Sequence, residues 1–313
     1  MRKRLGVVMD PIKDITVLTD STLAMLLEAS SRNWEIQYFE PSDLFVRDGK
    51  AFGAGRALRV WDNPLHWFEW QDQKTCALSE LDIILMRKDP PLDMNYMYLT
   101  YLLELAERDG VRVFNKPESL RNVNEKLFTT QFPDLCPPTL VTSDIKRLRD
   151  FFATEKDIVC KPLDNMAGAF VFRVQKGDLN ASVIFETLTQ KGKTPIMAQR
   201  FIPDILRGDK RILLIDGNPV SHALARIPAS GELRGNVNAG ATPRAQPLTS
   251  RDKYICEVLG PHLRERGLLF VGIDVIGDFL TEVNITSPGC IRELDEQCGL
   301  NIAKQFLDVI ADR

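Results

Sequence analysis

Leu81-Asp-Ile-Ile-Leu-Met86, followed at once by Arg87-Lys88-Asp89-Pro90-Pro91, decides the fold class. An almost unbroken apolar run of this length fits a strand buried on both faces, and such strands belong to parallel sheets covered by helices. The two prolines stop it and leave Arg87 and Asp89 at its carboxyl end. Upstream, Leu5-Gly-Val-Val-Met9 has the same character and ends at Asp10-Pro11. Asp20 or Ser21 caps a helix predicted to run to about Arg32, with Leu23, Leu26 and Leu27 on its apolar stripe. Trp34 to Phe39 is the next strand, while residues 41 to 75, rich in Gly, Trp and charge, read only as a hairpin or long excursion. Downstream come a helix from about Asn95 to Arg108 and a strand from Val111 to Phe114. This alternation predicts an open α/β sheet, whose ligands sit beyond the carboxyl ends of its strands. Asp10, Arg87 and Asp89 all fall at such ends.

Near residue 120 the pattern changes. A helix from Pro117 to Phe132, carrying Asn124-Glu125-Lys126, is predicted before Pro133, Pro137 and Pro138 break the chain. A helix (about Ser143 to Ala153), strand Ile158 to Pro162, a small-residue loop from Leu163 to Gly168, strand Ala169 to Val174, helix Leu179 to Thr189 and strand Ile196 to Ile202 form a compact α+β unit. The last third opens with strands Lys210 to Ile215 and Val220 to Ile227, joined by Asp216-Gly217-Asn218-Pro219. A Gly- and Asn-rich loop, Pro228 to Pro247, precedes a helix (about Thr249 to Arg266), the strand pair Leu269 to Ile276 and Leu280 to Ile285, and a terminal helix.

Bulk properties narrow the function. The 313 residues suffice for two or three sub-domains, and Lys+Arg 40 against Asp+Glu 43 leaves no field to attract nucleic acid or an anionic membrane. Six cysteines, Cys76, Cys136, Cys160, Cys256, Cys290 and Cys298, show no CxxC spacing, which argues against zinc or a disulfide framework. Cys290 has no histidine near it in sequence and is not read as a nucleophile. The apolar run Leu5 to Met9 is too short for a signal segment, and no run approaches membrane-spanning length; a cytoplasmic protein is expected.

Glu282-Val283-Asn284 places two polar side chains on one face of an apolar strand. With Asp274 in the preceding strand, these oxygen donors suit Mg²⁺; the alternative is a solvated strand face. Register separates the two. A two-residue Gly277-Asp278 turn pairs Asp274 with Thr281 and sends Glu282 to the opposite face, whereas a three-residue loop through Phe279 pairs Asp274 with Glu282. The metal reading therefore predicts the longer loop. Lys126 and Lys161 are candidate point charges for phosphates, or else surface lysines. Asp164-Asn-Met-Ala-Gly168 is a weak phosphate-loop signal. The loop Gly231 to Gly240, with Arg234 in its middle, suits a lid over a reacting carboxylate or a plain flexible loop. If the strands after Asp209 form a hairpin, Arg211 and Arg226 come close enough to hold a carboxylate or a phosphoryl group; otherwise they mark a charged strand edge.

These segments together resemble the ATP-grasp superfamily, and within it the bacterial glutathione synthetases. The resemblance runs nearly end to end: Val8-Met-Asp-Pro11, Ile84 to Pro91, Asn115-Lys-Pro117, Ser119-Leu-Arg121, Asn124 to Phe128, Lys161-Pro-Leu-Asp164, Gly208 to Arg211, Ala225 to Pro228, Arg234-Gly-Asn236, Phe270 to Asp274 and Thr281 to Pro288. It implies an ATP-grasp fold in three parts: an N-terminal α/β substrate domain (1–122), a central lid domain (123–202) and a C-terminal domain (203–313), with ATP between the last two. The implied reaction phosphorylates the cysteinyl carboxylate of γ-glutamylcysteine; the glycine amine then displaces phosphate to give glutathione. By position, Asp274, Glu282 and Asn284 hold Mg²⁺, with Mn²⁺ as an alternative ion, and Lys126, Lys161, Asn165 and Gly168 contact the phosphates. Gln199, Arg200, Phe201 and Ile202 border the adenine. Arg211, Arg226 and Arg234 are the catalytic cations, with Arg87, Asp89, Asp209 and Ser287 around the peptide. The resemblance also implies a homo-oligomer, a tetramer. One departure is Asn165 and Ala167, which stand where the family usually has glycine, so a loop requiring positive φ would be strained there. Two rival readings remain: an ATP-grasp ligase for another amino acid or peptide, and a nucleotide-binding regulatory protein that has lost catalysis.

Overall fold

The computed structural model describes residues 2–166, 168–235 and 240–312, which build three sheets. The first contains β1 (Arg4–Met9), β2 (Glu35–Phe39), β3 (Leu44–Arg47), β4 (Lys50–Val60), β5 (Phe68–Ala77), β6 (Ile83–Arg87) and β7 (Arg112–Phe114). Its order is β3-β4-β2-β1-β6-β7, with β5 on β4. The expected parallel core is there: β1 runs parallel to β2 and β6, and β6 to β7. The excursion left open at 41–75 is an antiparallel meander on β2. Gly53 and Gly55 of β4 lie against the Phe39 ring, where an added Cβ would stand 2.4 Å from a ring carbon.

Helix α1 (Ser21–Ser31) starts where the Asp20 side chain accepts from the Leu23 N–H at 2.6 Å, and α2 (Met94–Arg108) is capped the same way by Asp93. Helix α3 (Pro117–Asn122) corrects the long helix expected from Pro117 to Phe132. Val123 is extended, and the Asn124 side chain accepts from the Lys126 and Leu127 N–H groups. The Glu125 carbonyl accepts from Val283 N–H at 2.9 Å. Glu125 and Lys126 therefore form a turn held against a neighbouring strand, and the 3₁₀ turns Leu127–Gln131 and Pro133–Leu135 follow.

The second sheet, β8 (Thr139–Thr142), β9 (Asp157–Pro162), β10 (Phe172–Gln175) and β11 (Ile196–Arg200), is antiparallel in the order β10-β9-β11-β8. Helices α4 (Ile145–Glu155) and α5 (Ala181–Leu188) cover it around a core of its own that includes Leu148, Ile158 and Phe185. The strand expected from Ala169 begins only at Phe172, since Gly168 to Phe170 form a turn.

The third sheet holds β12 (Asp209–Ile215), β13 (Asn218–Pro219), β14 (His222–Ile227), β15 (Thr242–Pro247), β16 (Phe270–Ile276) and β17 (Phe279–Asn284), in the order β15-β14-β12-β16-β17 with β13 on β12. Strand β15 replaces the second half of the loop expected up to Pro247; Arg244 and Gln246 on a polar edge strand left no apolar alternation to read. Helix α6 (Ser250–Glu265) covers one face, packing Ile255, Leu259 and Leu263 into the core that holds Ile212, Leu214, Ile273 and Val275. The chain ends in two helices, α7 (Ile291–Cys298) and α8 (Ile302–Asp312). Helix α8 returns to α1 through Arg32 and Asp308 at 2.7 Å. Residues of the first and third sheets thus share two cores, while the second sheet has a separate one. No described helix is long and apolar enough to cross a membrane.

Candidate active site

The site lies on the face of the third sheet away from α6. In β12, Asp209 and Arg211 point to the same side. Register sets Arg226 of β14 opposite Asp209, and Asp274 of β16 opposite Arg211. Arg211 donates from Nε and Nη2 to the Asp274 carboxylate at 2.6 and 3.0 Å; Arg226 Nη2 lies 3.0 Å from Asp274 Oδ2 and 2.5 Å from Asp209 Oδ2. Burial alone would raise the Asp274 carboxyl, but Arg211 foremost, then Arg226, hold it well below the usual carboxylate range. For Asp209 burial prevails over Arg226, and its carboxyl is pushed up to about 6.

Glu282 joins this face by a route different from the one expected. The turn is the two-residue one, with Ile276 opposite Phe279 and Val275 opposite Leu280. A β-bulge at Thr281 then shifts the ladder by one residue and brings Glu282 opposite Asp274. The longer loop is corrected; the pairing it was meant to produce is present. Asn284 Nδ2 donates to Asp274 Oδ2 at 3.2 Å.

Both lysines reach the same place from outside the sheet. Lys126 Nζ is 2.9 Å from Glu282 Oε1 and donates to the Asn165 carbonyl at 2.5 Å. Lys161 Nζ donates to the Thr281 carbonyl at 3.1 Å, and burial lowers its pKa against the opposing pull of Glu282. Two desolvated ammonium groups beside a carboxylate make a strong site for an anion.

The walls come from all three sheets. A cleft of about 1010 Å³ includes every candidate residue named from the sequence that lies on this face or around it. Arg87, buried at the end of β6, donates to Thr22 Oγ1 and to the Pro288 carbonyl, both at 3.0 Å. Asp89 accepts a hydrogen bond from the Ser287 hydroxyl, while its own N–H donates to Asp10 at 2.9 Å. Gln199 is buried and donates to Thr139 Oγ1 at 3.0 Å. Arg200 stands over Phe279, Arg173 stacks on Phe201 at 3.5 Å, and Ile202 is buried where β11 leaves for β12. Arg234 is on the cleft wall but pairs with Glu232 at 2.5 Å, apart from Arg211 and Arg226. Gly235 sits against the Asp209 side chain, where a Cβ would come within 2.6 Å. The rest of the loop expected to act as a lid, Asn236 to Ala239, lies outside the described residues, as does Ala167. Asn165 does not adopt positive φ; in that loop Gly168 (73°) and Phe170 (57°) do, so the Asn165 departure carries no such strain. Cys290 is buried, and burial raises its thiol. That environment is inert, in keeping with the sequence reading.

Sequence reasoning quoted Glu125 only as part of a segment. Its Oε1 accepts from the Ile285 and Thr286 N–H groups at 2.8 and 3.2 Å and from the Thr286 hydroxyl at 3.0 Å, fixing the chain that presents Ser287. Asn115 was likewise quoted only within a segment, yet its amide bridges β16 and Ile285. A glutamate and an asparagine in linkers carry no signal of such distant partners.

Asp274, Glu282 and Asn284 fit a divalent cation by donor type and by convergence on one face. Among the described residues no three His, Cys, Asp or Glu side chains form a closed metal cage. Two carboxylates and an amide match an ion that completes its shell with water and phosphate, as Mg²⁺ does.

An antiparallel sheet bearing paired arginines and oxygen donors, closed over by a second small sheet that contributes a lysine, is the architecture of the ATP-grasp ligases. Among solved structures, a D-cycloserine synthetase has a TM-score of 0.68 at 16% identity, covering 98% of this chain and 99% of its own. D-alanyl-alanine synthetase A from Vibrio cholerae has 0.62 at 13%, covering 99% and 98%. At such identity these establish the fold. The chain belongs to the prokaryotic glutathione synthetase family: the model for its N-terminal domain matches residues 4–121 and that for its ATP-grasp domain residues 125–299. The glutathione synthetase of Pseudomonas aeruginosa is 55% identical over 99% of this chain and 98% of its own length; that of Vibrio cholerae is 51% identical over the same shares. The protein is an ATP-dependent ligase that forms glutathione.

Proposed function

We propose that the cleft joins glycine to the cysteinyl carboxylate of γ-glutamylcysteine through an acyl phosphate, with the three sheets acting as a substrate domain (1–122), a lid domain (123–202) and a C-terminal domain (203–313). The observation that carries this reading is the convergence of Asp209, Arg211, Arg226, Asp274 and Glu282 on one sheet face, with Lys126 and Lys161 entering from two other segments. ATP lies between the second and third sheets, its adenine against Gln199 to Ile202 and its phosphates at Lys126, Lys161, Asn165 and Gly168. Asp274, Glu282 and Asn284 would hold Mg²⁺ or Mn²⁺, which would supply positive charge to offset that of the transferring group. Arg211, Arg226 and Arg234 hold the carboxylate and then the acyl phosphate, so that the attacking and leaving oxygens stay in line. Arg87, Asp89, Asp209 and Ser287 orient the peptide. The amine nitrogen attacks the acyl carbon, phosphate leaves with the C–O electron pair, and the cleft walls keep water from the intermediate. The enzyme works in the cytoplasm as a homo-oligomer, a tetramer by family likeness.

The test is incubation of purified protein with ATP, Mg²⁺, γ-glutamylcysteine and glycine, following ADP and the peptide by mass. Glutathione forms only with all components and is lost in Glu282→Ala. ADP without that peptide would identify a ligase for another amine. Tight ATP binding with no turnover would refute the enzymatic reading.

A further inference from the structure

We propose that Thr281 is a positioning residue for the phosphate end of the cleft: as the extra residue of β17 it carries Glu282 onto the Asp274 face and supplies the carbonyl that holds Lys161. This rests on the metal and phosphate roles proposed above. The hairpin turns at Gly277 and Asp278, with Ile276 opposite Phe279 and Val275 opposite Leu280. Continued regularly, the ladder would set Thr281 opposite Asp274 and aim Glu282 at the α6 face, among Ile212, Ile273 and Val275. A carboxylate there would be desolvated, and the ammonium on that face, Lys210, is already held by Asp252. The bulge avoids this by adding one residue between Leu280 and Glu282.

Two hydrogen bonds tie the extra residue down. The Thr281 hydroxyl donates to the Asp274 backbone carbonyl at 3.1 Å, and the Thr281 carbonyl accepts from Lys161 Nζ at 3.1 Å. Thr281 is buried, so neither bond is replaced by bulk water. Lys161 belongs to the second sheet and Thr281 to the third, so the bulge carbonyl holds an ammonium across the boundary of the cleft. A regular strand of this length offers neither the pairing of Asp274 with Glu282 nor that acceptor. Valine has the shape of threonine without the donor, and Thr281→Val removes the bond that distinguishes the bulged from the slipped register.

The test is Mn²⁺ binding, read from the loss of the free-ion electron paramagnetic resonance signal, in the presence of a non-hydrolysable ATP analogue. Thr281→Val is expected to weaken Mn²⁺ binding about tenfold or more, and Thr281→Ser to restore it. Adenosine, which lacks phosphates, should bind Thr281→Val within about twofold of the parent protein. Far-UV circular dichroism should show the same sheet and helix content. Mn²⁺ affinity within about twofold of the parent in Thr281→Val overturns the proposal, and so does an equal loss of adenosine binding, which marks general damage. Glu282→Gln separates the layers. Weakened Mn²⁺ binding there but not in Thr281→Val overturns the positioning role alone. Unchanged binding in Glu282→Gln overturns the metal reading and the proposal with it.

Discussion

Replacing Asp274 by Asn keeps the shape of the side chain and removes its charge from a cluster that has no exposed member. Asp274 accepts from Arg211 at 2.6 and 3.0 Å and lies 3.0 Å from Arg226, and the Arg211, Arg226 and Asp274 side chains are 9%, 5% and 5% exposed. Arg226 keeps Asp209 at 2.5 Å, so the loss falls on Arg211, for which no other ion pair is found among the described residues. Removing one partner of a buried pair costs about 3–5 kcal/mol. Arg211 borders the cleft and can turn toward water, which places the expected loss at the lower end, about 3 kcal/mol. Urea unfolding followed by far-UV circular dichroism measures it, with fluorescence as the second probe, because Trp34, Trp61, Trp67 and Trp70 all lie in the first 70 residues. Coincident transitions establish that the first and third sheets unfold together, as their shared cores predict. The pH dependence has a fixed sign. The folded Asp274 carboxyl titrates below its unfolded value, so its contribution is complete above about pH 4 and is lost as pH falls toward the folded value. The gap between parent and variant should therefore be constant at neutral pH and close on acidification. A loss below about 1 kcal/mol at pH 7, the range of an exposed pair, would refute the reasoning.

Lys161→Met should change the urea midpoint little, since removal of a desolvated ammonium offsets the loss of its bond to the buried Thr281 carbonyl. A charged hydrogen bond to phosphate is worth about 1.5–3 kcal/mol, roughly ten- to hundredfold in the ATP Kd by calorimetry. Undiminished ATP affinity would remove Lys161 from the phosphate site. Asn115→Ala deletes donations to the Phe270 and Ile285 carbonyls at 2.8 and 2.6 Å and acceptance from the Leu269 and Phe270 N–H groups at 2.8 and 2.9 Å. The expected loss is about 2–4 kcal/mol of stability with little change in adenosine binding, and a loss of both would place Asn115 in the nucleotide site instead.

How much of this was legible in the sequence differs by segment. Parallel strands β1 and β6 announced themselves because both faces are buried, which forces continuous apolar runs. The helix cap at Asp20 was readable because a cap is a contact over three residues. Residues 117–132 misled because helical propensity is local, while the bonds that hold Glu125 outside the helix come from Val283, Ile285 and Thr286. Strand β15 was missed since a polar edge strand has no alternation to detect.

The site divides the same way. Residue type and order determined the donor set: two lysines, the arginines and Asp274, Glu282 and Asn284 are legible in the sequence. The partners those charges have, and the bulge that turns Glu282 toward Asp274, were decided by the tertiary structure. A strand has a period of two, so a single extra residue reverses every side chain beyond it. Whether that residue bulges depends on an acceptor in β16 and an ammonium in β9, which nothing in the local sequence of β17 specifies.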